Sequence, residues 1–206
     1  TTFINKGDLT IESNLVVYGT FVNENKLQTS FDSEGSSLAI SGSDEGKTRL
    51  TDNANSQFIL NAEQDFYKSK TLINLLRGDS VGTPSITLNE NNIIVNSNSA
   101  TLKMTAEYNE DDSTITINTL RDYTSLASTS GEAQLAEQLA LKADEIAENP
   151  DSSGHPENLS PIDQKWANLL AGMDYNDSTG ATAKQAMKAL TPHVYNSSAQ
   201  ATLNTH

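Results

Sequence analysis

The sequence predicts a mainly β fold, a β-solenoid stem, followed by a short α-helical bundle. Leucine or phenylalanine recurs every six residues near the N-terminus, and short strand patterns continue to about residue 124. Alanine-rich helical patterns then take over. We therefore expect a β-solenoid stem over residues 1–124 and a helical connector over residues 125–206, with a β-sandwich-like cap as an alternative form for the end of the stem.

The first 28 residues hold the clearest repeat. Leu9, Leu15, Phe21 and Leu27 lie at intervals of six, with Ile4 one residue closer. Glycine and asparagine, which tolerate left-handed backbone, separate these positions. Strands broken this often are typical of a solenoid, whereas hairpin strands usually recur every 8–12 residues or so. We predict that the four repeat residues stack as inner rungs, and an ordinary β-meander remains the alternative.

Strand patterns continue downstream between polar turns. Apolar and polar residues alternate over 101–106 and 114–118, so each strand should have one dry face and one wet face. The residues predicted to close the last rungs are Ile115, Ile117, Leu120 and Tyr123. Strands are predicted over 37–41, 57–61, 71–76, 85–88, 93–96, 100–106 and 113–118.

The first helix is predicted from Thr129 onward. Ser130 is the predicted cap, and Leu135 and Leu139 lie on an apolar stripe. Asn149-Pro150 should end this helix. A polar linker containing two prolines and a glycine follows over residues 149–159.

The second helix has a stronger start signal in Ser160-Pro161-Ile162-Asp163, with serine at the N-cap and proline at the first helical position. Its predicted apolar face is Ile162, Trp166, Leu169, Leu170 and Met173. A short helix over 181–190 and a final one from Thr191-Pro192, with Val194, Tyr195, Ala199 and Leu203 inward, should complete the bundle. The predicted core of the helical cap is Leu135, Leu139, Trp166, Leu169 and Tyr195.

Composition narrows the range of functions. The net charge is −14, from 27 acidic and 13 basic residues, which argues against binding to nucleic acid or to an anionic membrane surface. Because cysteine is absent, thiol catalysis, disulfides and cysteine-based metal sites are excluded. No apolar run in the sequence approaches the roughly 18–20 residues that a membrane helix needs. The sequence also shows no signal-peptide pattern. A strand pattern at the very start predicts a fragment of a longer protein.

No catalytic, cofactor-binding or metal-ligating residue is predicted. A Ser-His-Asp triad needs a histidine that is held rigidly between its two partners. None of the three histidines is expected to have such a setting, because His155 lies in the linker, His193 at a helix start and His206 at the last position. Calcium-loop and phosphate-loop spacings are missing. Three acidic pairs are predicted to be surface groups in turns or at strand ends, with catalytic work as the minor alternative. These pairs are Asp44/Glu45, Glu63/Asp65 and Asp111/Asp112.

Two parts of the chain, within residues 70–124 and 189–200, carry a family resemblance. Lys70-Thr71-Leu72-Ile73 and Leu120-Arg121-Asp122-Tyr123 are similar to two strands that precede the helices in the C-terminal passenger region of bacterial type V autotransporters. Residues 189–200 resemble the helix just upstream of its outer-membrane barrel, with Thr191 and His193 in place of the usual serine and acidic residue. The resemblance is weak over the N-terminal third and good after Thr71.

The resemblance implies the last rungs of a right-handed parallel β-helix that form an autochaperone junction. Such a module has no catalytic role; it caps and seeds the folding of the passenger and displays an upstream effector. Its partners would be its own outer-membrane barrel and the upstream passenger, and its location the bacterial cell surface. The alternatives are an adhesin face for a host glycan or protein, the stem of a subtilisin-like protease, and a glycan-cleaving β-helix enzyme.

Overall fold

A computed structural model describes residues 2–12, 19–35, 47–75, 85–149, 158–175 and 177–190. Within them the fold is mixed, because parallel and antiparallel sheets are followed by three helices. The mainly β prediction therefore applies only to the first part of the chain. The strands are β1 (Thr2–Asn5), β2 (Asp8–Ile11), β3 (Thr20–Asn23), β4 (Lys26–Phe31), β5 (Lys47–Arg49), β6 (Gln57–Ala62), β7 (Lys70–Asn74), β8 (Ser85–Thr87), β9 (Ile93–Asn96), β10 (Leu102–Asn109) and β11 (Thr114–Arg121), and the helices are α1 (Ser130–Glu148), α2 (Pro161–Asp174) and α3 (Ala181–Leu190).

Two parallel four-stranded sheets hold most of the strands. One has the order β1-β3-β5-β8 and the other β2-β4-β6-β9. Along the chain, strands are added alternately to the first and second sheets from β1 to β9, except that β7 leaves this order and joins a third sheet. Apolar side chains of these strands form one core, which includes Leu27, Phe58, Leu60 and Ile86.

The six-residue repeat matches the strand pairing, with one correction. Phe3 pairs with Phe21 and Leu9 with Leu27, so partners lie 18 residues apart, three steps of six. Phe3, not Ile4, is therefore the residue in phase with the repeat. Phe21 and Leu27 are buried and Leu9 is partly buried, as predicted for inner positions, while Leu15 lies outside the described residues.

Buried asparagines hold the turns between the two parallel sheets. Asn5 donates its side-chain amide to Asn23 Oδ1 at 2.8 Å and to the carbonyl of Lys26 at 2.8 Å. Asn23 donates in turn to the carbonyl of Leu50 at 2.9 Å. These bonds connect β1 to β3 within one sheet and to β4 of the other, and they give the carbonyls of Lys26 and Leu50 a side-chain donor.

The third sheet is antiparallel and has the order β10-β11-β7. Its strands correspond to those predicted at residues 71–76, 100–106 and 113–118, with boundaries moved by a few residues. The strands predicted at 57–61, 85–88 and 93–96 are also confirmed. The strand predicted at 37–41 lies outside the described residues.

The alternation of β11 corrects one core prediction. Ile115 and Ile117 are fully buried, so odd-numbered residues face inward. Leu120 has the opposite parity, and it is 63% exposed. Its prediction as an inner residue is wrong, whereas Tyr123, which follows the strand, is fully buried as predicted.

The helix starts follow from local capping. Thr129, not the predicted Ser130, is the N-cap of α1, because its side-chain oxygen accepts from the Glu132 amide at 3.2 Å. The Glu132 carboxylate accepts from the amide of Ser128, one residue before the cap, at 2.6 Å, so the bond resembles the return bond of a capping box but is shifted by one residue. Ser160 caps α2 with Pro161 at its first position, as predicted. α3 has the predicted bounds.

The three helices share a second core. Leu139 is buried, and Leu135 and Trp166 are partly buried against that core. Leu169 is 36% exposed, so its prediction as a core residue is wrong; the adjacent Leu170 occupies the inward position. Tyr195 lies outside the described residues. Phe66 and Tyr123 from the strand part belong to this second core, so the helices pack directly on the sheets.

Candidate functional site: a buried junction between sheet and helices

Four polar side chains meet where the antiparallel sheet contacts the helices. Thr101 lies just before β10, Arg121 ends β11, Tyr123 follows it, and Asp174 is the last residue of α2. All four residues are at most 9% exposed. We call this set the junction cluster.

An ion pair lies at the centre of the junction cluster. Arg121 Nε donates to Asp174 Oδ2 at 2.9 Å. The two side chains are only 3% and 1% exposed, so both charges are removed from water. Such a pair is stable only where hydrogen bonds satisfy the rest of both groups.

The second carboxylate oxygen of Asp174 is also satisfied. Its Oδ1 accepts from Thr101 Oγ1 at 2.7 Å and from the Tyr123 hydroxyl at 2.8 Å. Burial and the nearby Asp174 charge raise the pKa of Tyr123 far above its ordinary value. The phenol therefore remains protonated and acts as a hydrogen-bond donor.

The guanidinium of Arg121 has two further contacts. Its Nη2 donates to the backbone carbonyl of Tyr67 at 2.8 Å, and its central carbon lies 4.6 Å from the centroid of the Phe66 ring. The latter distance is within the range of a cation–π contact. Residues 66 and 67 connect β6 to β7, so the arginine ties a third segment to the same point.

Tyr67 continues this polar path toward the parallel sheets. Its hydroxyl donates to the carbonyls of Phe31 and Glu63, at 2.9 and 2.8 Å. Its ring contacts Phe31 edge-on, with centroids 5.6 Å apart. One connected set of contacts thus extends from the end of β4 to the end of α2.

A neighbouring contact fixes the loop between α2 and α3. The amide of Ala100 donates to the Asp177 carbonyl at 3.2 Å. The Asp177 carboxylate accepts from Thr179 Oγ1 at 2.6 Å and from the Thr182 amide at the start of α3. These bonds lower the pKa of Asp177 and hold the helical turn against the start of β10.

The geometry of the junction cluster suits a structural role. Each carboxylate oxygen of Asp174 already has a protein donor, and the guanidinium is in contact with an acceptor, a carbonyl and a ring. A general acid or base must reach a substrate proton, which a group closed off in this way does not do. The cluster instead holds the sheets and α2 in one orientation.

The sequence analysis singled out Arg121 and Tyr123 of the junction cluster, but not Thr101 or Asp174. The stretch Leu120-Arg121-Asp122-Tyr123 was recognised by resemblance, and the structure buries Arg121 and Tyr123 within it. Asp174 is not among the residues that the sequence predicts to have a role, and it lies 53 residues from its arginine partner. No local pattern connects the two residues, because the burial of Arg121, which requires a counter-charge, becomes visible only in the folded chain.

The acidic pairs show turn and surface roles where they are described. Asp65 accepts from the hydroxyl of Ser33 at 2.5 Å, and Asp112 accepts from Thr114 Oγ1 at 2.6 Å. The Asp44/Glu45 pair and the three histidines lie outside the described residues. In the described ranges, no group of three acidic or histidine side chains is placed to hold a metal ion.

An acidic cleft of about 290 Å³ lies where the end of α1 meets the start of α2. Lys142 Nζ lies 2.9 Å from Asp163 and 3.2 Å from Glu145, and its hydrogen bond lowers the pKa of Asp163. The Lys142–Asp163 pair joins α1 to α2, whereas the Lys142–Glu145 pair lies within α1. The cleft is lined by Glu145, Ile146, Glu148, Asn149 and Asp163.

Among the helices that the structure describes, none has the length and apolar character required to span a membrane. Comparisons of the chain with protein-family models, with curated proteins and with solved structures find no match.

Proposed function

We propose that this chain is a non-catalytic structural module that ends the β-helical stem of an autotransporter passenger and seeds the folding of its coils. The observation that carries the proposal is the strand order, in which eight of the first nine strands, all except β7, are added alternately to two parallel sheets. The four circuits are β1–β2, β3–β4, β5–β6 and β8–β9. We interpret them as coils of a right-handed parallel β-helix, the hand that parallel connections almost always take.

The C-terminal end of this stack has the features of a cap. β10, β11 and the helices follow the last coil in the chain, β7 from between the third and fourth circuits completes the antiparallel sheet, and the junction cluster ties this sheet to α2. At the other end, β1 and β2 are edge strands of their sheets. A stack in which coils add to an existing edge grows most readily from a stable end, so the capped end is the natural seed.

Pulse-labelled hydrogen exchange during refolding of the full chain tests this proposal. We expect amides of β7, β10, β11 and α1 to become protected first, those of β6 and β9 next, and those of β1 and β2 last. Protection of β1 and β2 before the antiparallel sheet would contradict the seeding role.

The matched variants are Asp174→Asn and Asp122→Asn. Each replaces one carboxylate with an amide, but Asp174 lies in the junction cluster and Asp122 at the surface, where it pairs with Lys103. If the junction seeds the coils, Asp174→Asn delays protection of β4 and β6, while Asp122→Asn leaves the order and rate nearly unchanged.

An adhesin face is the alternative that the same chain can be tested for. Sugar-binding surfaces commonly use exposed aromatic rings. Among the described aromatic residues, Phe3 is exposed, at 50%, and it stacks on Phe21 with centroids 5.6 Å apart. A ligand-dependent rise in melting temperature across a glycan panel would favour the adhesin function over the folding module.

A further inference from the structure

The first two coils repeat one another in sequence. Residues 2–5 read Thr-Phe-Ile-Asn and residues 20–23 read Thr-Phe-Val-Asn, and Leu9 corresponds to Leu27. The strand register joins the same positions, so each residue lies beside its counterpart in the repeat. We call residues 2–11 the first coil and residues 20–29 the second coil. Their apolar and asparagine positions are therefore matched when the coils stack.

The charges of the two coils do not repeat; their signs are reversed. Lys6 of the first coil corresponds to Glu24 of the second, and Asp8 corresponds to Lys26. Lys6 Nζ lies 3.9 Å from the Glu24 carboxylate, and Lys26 Nζ lies 3.9 Å from the Asp8 carboxylate. Because like charges on paired strands repel each other, the signs at these two positions decide which coil fits beside which.

Among the described strands, β1 and β2 are paired on one side only. Phe3 is 50% exposed whereas its partner Phe21 is fully buried, and Ile4 is 44% exposed whereas Val22 is 4% exposed. The Phe3 ring stacks on Phe21 with centroids 5.6 Å apart, so its exposed part lies away from the second coil. The equivalent side chains of the second coil are buried because β3 has a strand on each side.

The polar groups of the first coil are also arranged to receive another strand. The carbonyl of Asn5 points toward β3, since it accepts from the Glu24 amide at 2.9 Å. Successive residues of a strand direct their backbone groups to opposite sides, so those of Ile4 point away from β3. Asn5 Oδ1 accepts from the Gly7 amide at 3.2 Å and has a second lone pair. An asparagine in a further coil can donate to this oxygen, as Asn5 itself donates to Asn23 Oδ1 at 2.8 Å.

We infer that the side of the first coil that no described strand covers is a docking surface for a strand–turn–strand segment with the pattern of the second coil. This partner has an aromatic residue beside Phe3, an asparagine beside Asn5, an acidic residue beside Lys6 and a basic residue beside Asp8. Strand addition of this kind takes its affinity from main-chain hydrogen bonds and its specificity from the side chains.

Two observations select this occupant. The docking surface continues the pairing that already joins the first coil to the second, and the charges of such a partner are opposite in sign to those of the first coil. The inference rests on the proposed function and deepens it, because it names the chemistry of the coil that the stem accepts.

An extended version of the full-length chain tests the docking surface within one molecule. An extra coil with the sequence of residues 20–29 is placed before Thr2, through a glycine–serine linker as long as residues 12–19, which connect β2 to β3. The matched control has the same extra coil with its glutamate and lysine exchanged, so that lysine lies beside Lys6 and glutamate beside Asp8. The two extra coils have the same length, composition and net charge, and they differ only in the order of the two signs.

Hydrogen exchange at the Ile4 amide measures docking at equilibrium. The extra coil of native sequence should slow this exchange at least about tenfold relative to the native chain, because the amide gains a main-chain partner. The exchanged coil should protect the amide about three- to tenfold less, since each cross-strand charge pair contributes modestly. This difference should shrink in about 1 M salt, where the charges are screened. Amides of α2 are the reference for the folded state and should exchange equally in all three chains.

Three outcomes would overturn the inference. Exchange at Ile4 that neither extra coil slows would mean that this edge accepts no coil. Equal protection by both extra coils at low and high salt would remove the charge selectivity. Protection that grows with the concentration of the native chain would show that a second copy covers the edge. None of these results bears on seeding, which is judged from the order of protection during refolding of the native chain.

Discussion

Asp174 shows how a single residue determines the join between the two parts of the chain. Its carboxylate is 1% exposed and accepts hydrogen bonds from Arg121, Thr101 and Tyr123. A buried ion pair contributes little net stability compared with a well-packed apolar pair, but removing one partner leaves an uncompensated charge. We therefore expect a single substitution in the junction cluster to lower the stability of the folded chain strongly, and a replacement of both charged partners to lower it much less.

Asp174→Asn should lower the free energy of unfolding by about 3 to 5 kcal/mol, because the buried guanidinium of Arg121 loses its counter-charge. Denaturant titration followed by circular dichroism measures this change. Asp122→Asn removes a partly buried surface carboxylate that pairs with Lys103, and it should cost clearly less than Asp174→Asn. Equal costs for the two variants would mean that the junction is not closed to water.

The combined replacement Arg121→Met with Asp174→Leu extends this prediction. Since both charges are removed together, the double variant should recover most of the stability that Asp174→Asn loses. Recovery separates a charge effect from a general disruption of packing. A double variant less stable than Asp174→Asn would contradict the assignment.

The surface carboxylate of Asp122 predicts a pH dependence. Its hydrogen bond from Lys103, with further ones from Thr124 and Ser125, lowers its pKa from the ordinary 3.8 to about 2. Because the folded pKa is the lower one, the stabilisation is fully present above about pH 4 and is lost as the pH falls toward 2. The stability difference between the native chain and Asp122→Asn should shrink over that window, and a difference that grows on acidification would contradict it.

At the scale of elements, local sequence signals set the type and ends of most strands and helices. Ser160-Pro161 starts α2 and the alternation of residues 114–118 lies within β11, both as predicted. The wrong core predictions concern the side of a strand or helix on which a residue lies. Leu120 has the wrong parity for an inward residue, and Leu169 lies on a different side of α2 from Leu170. Both leucines are apolar, so hydrophobicity alone did not separate them from their buried neighbours.

The cap of α1 gives a matched test at this scale. Thr129→Ala should destabilise the chain by about 1 kcal/mol, since the Glu132 amide loses its acceptor. Ser130→Ala should be neutral or slightly stabilising, because alanine is the better residue within a helix. Thermal unfolding of the two variants checks the assignment. A larger loss for Ser130→Ala would return the cap to the position that the sequence pattern first indicated.

At the scale of the whole molecule, charge repulsion is the dominant long-range term. The net charge is −14, and the exposed ion pairs contribute little each. Raising sodium chloride from about 10 to about 200 mM shortens the screening length from about 30 Å to under 10 Å. We expect the melting temperature to rise over this range.

The double variant Asp111→Asn with Asp112→Asn provides the control for this salt effect. It removes two exposed charges at the tip between β10 and β11, which takes the net charge from −14 to −12. Its melting temperature should therefore respond less to salt. A melting temperature that falls with salt in the native chain would show that attractive surface pairs outweigh the overall repulsion.

The sequence by itself determined the kind and order of the elements, the six-residue step of the first strands and the start of α2, because these depend on short-range backbone and side-chain preferences. The tertiary structure decided the pairing of partners 18 residues apart as two parallel sheets, the outward direction of Leu120, and the burial of Asp174. Those features depend on the path of the whole chain. Arg121 and Asp174, for example, lie 53 residues apart in the sequence and form an ion pair only when α2 packs on the sheet.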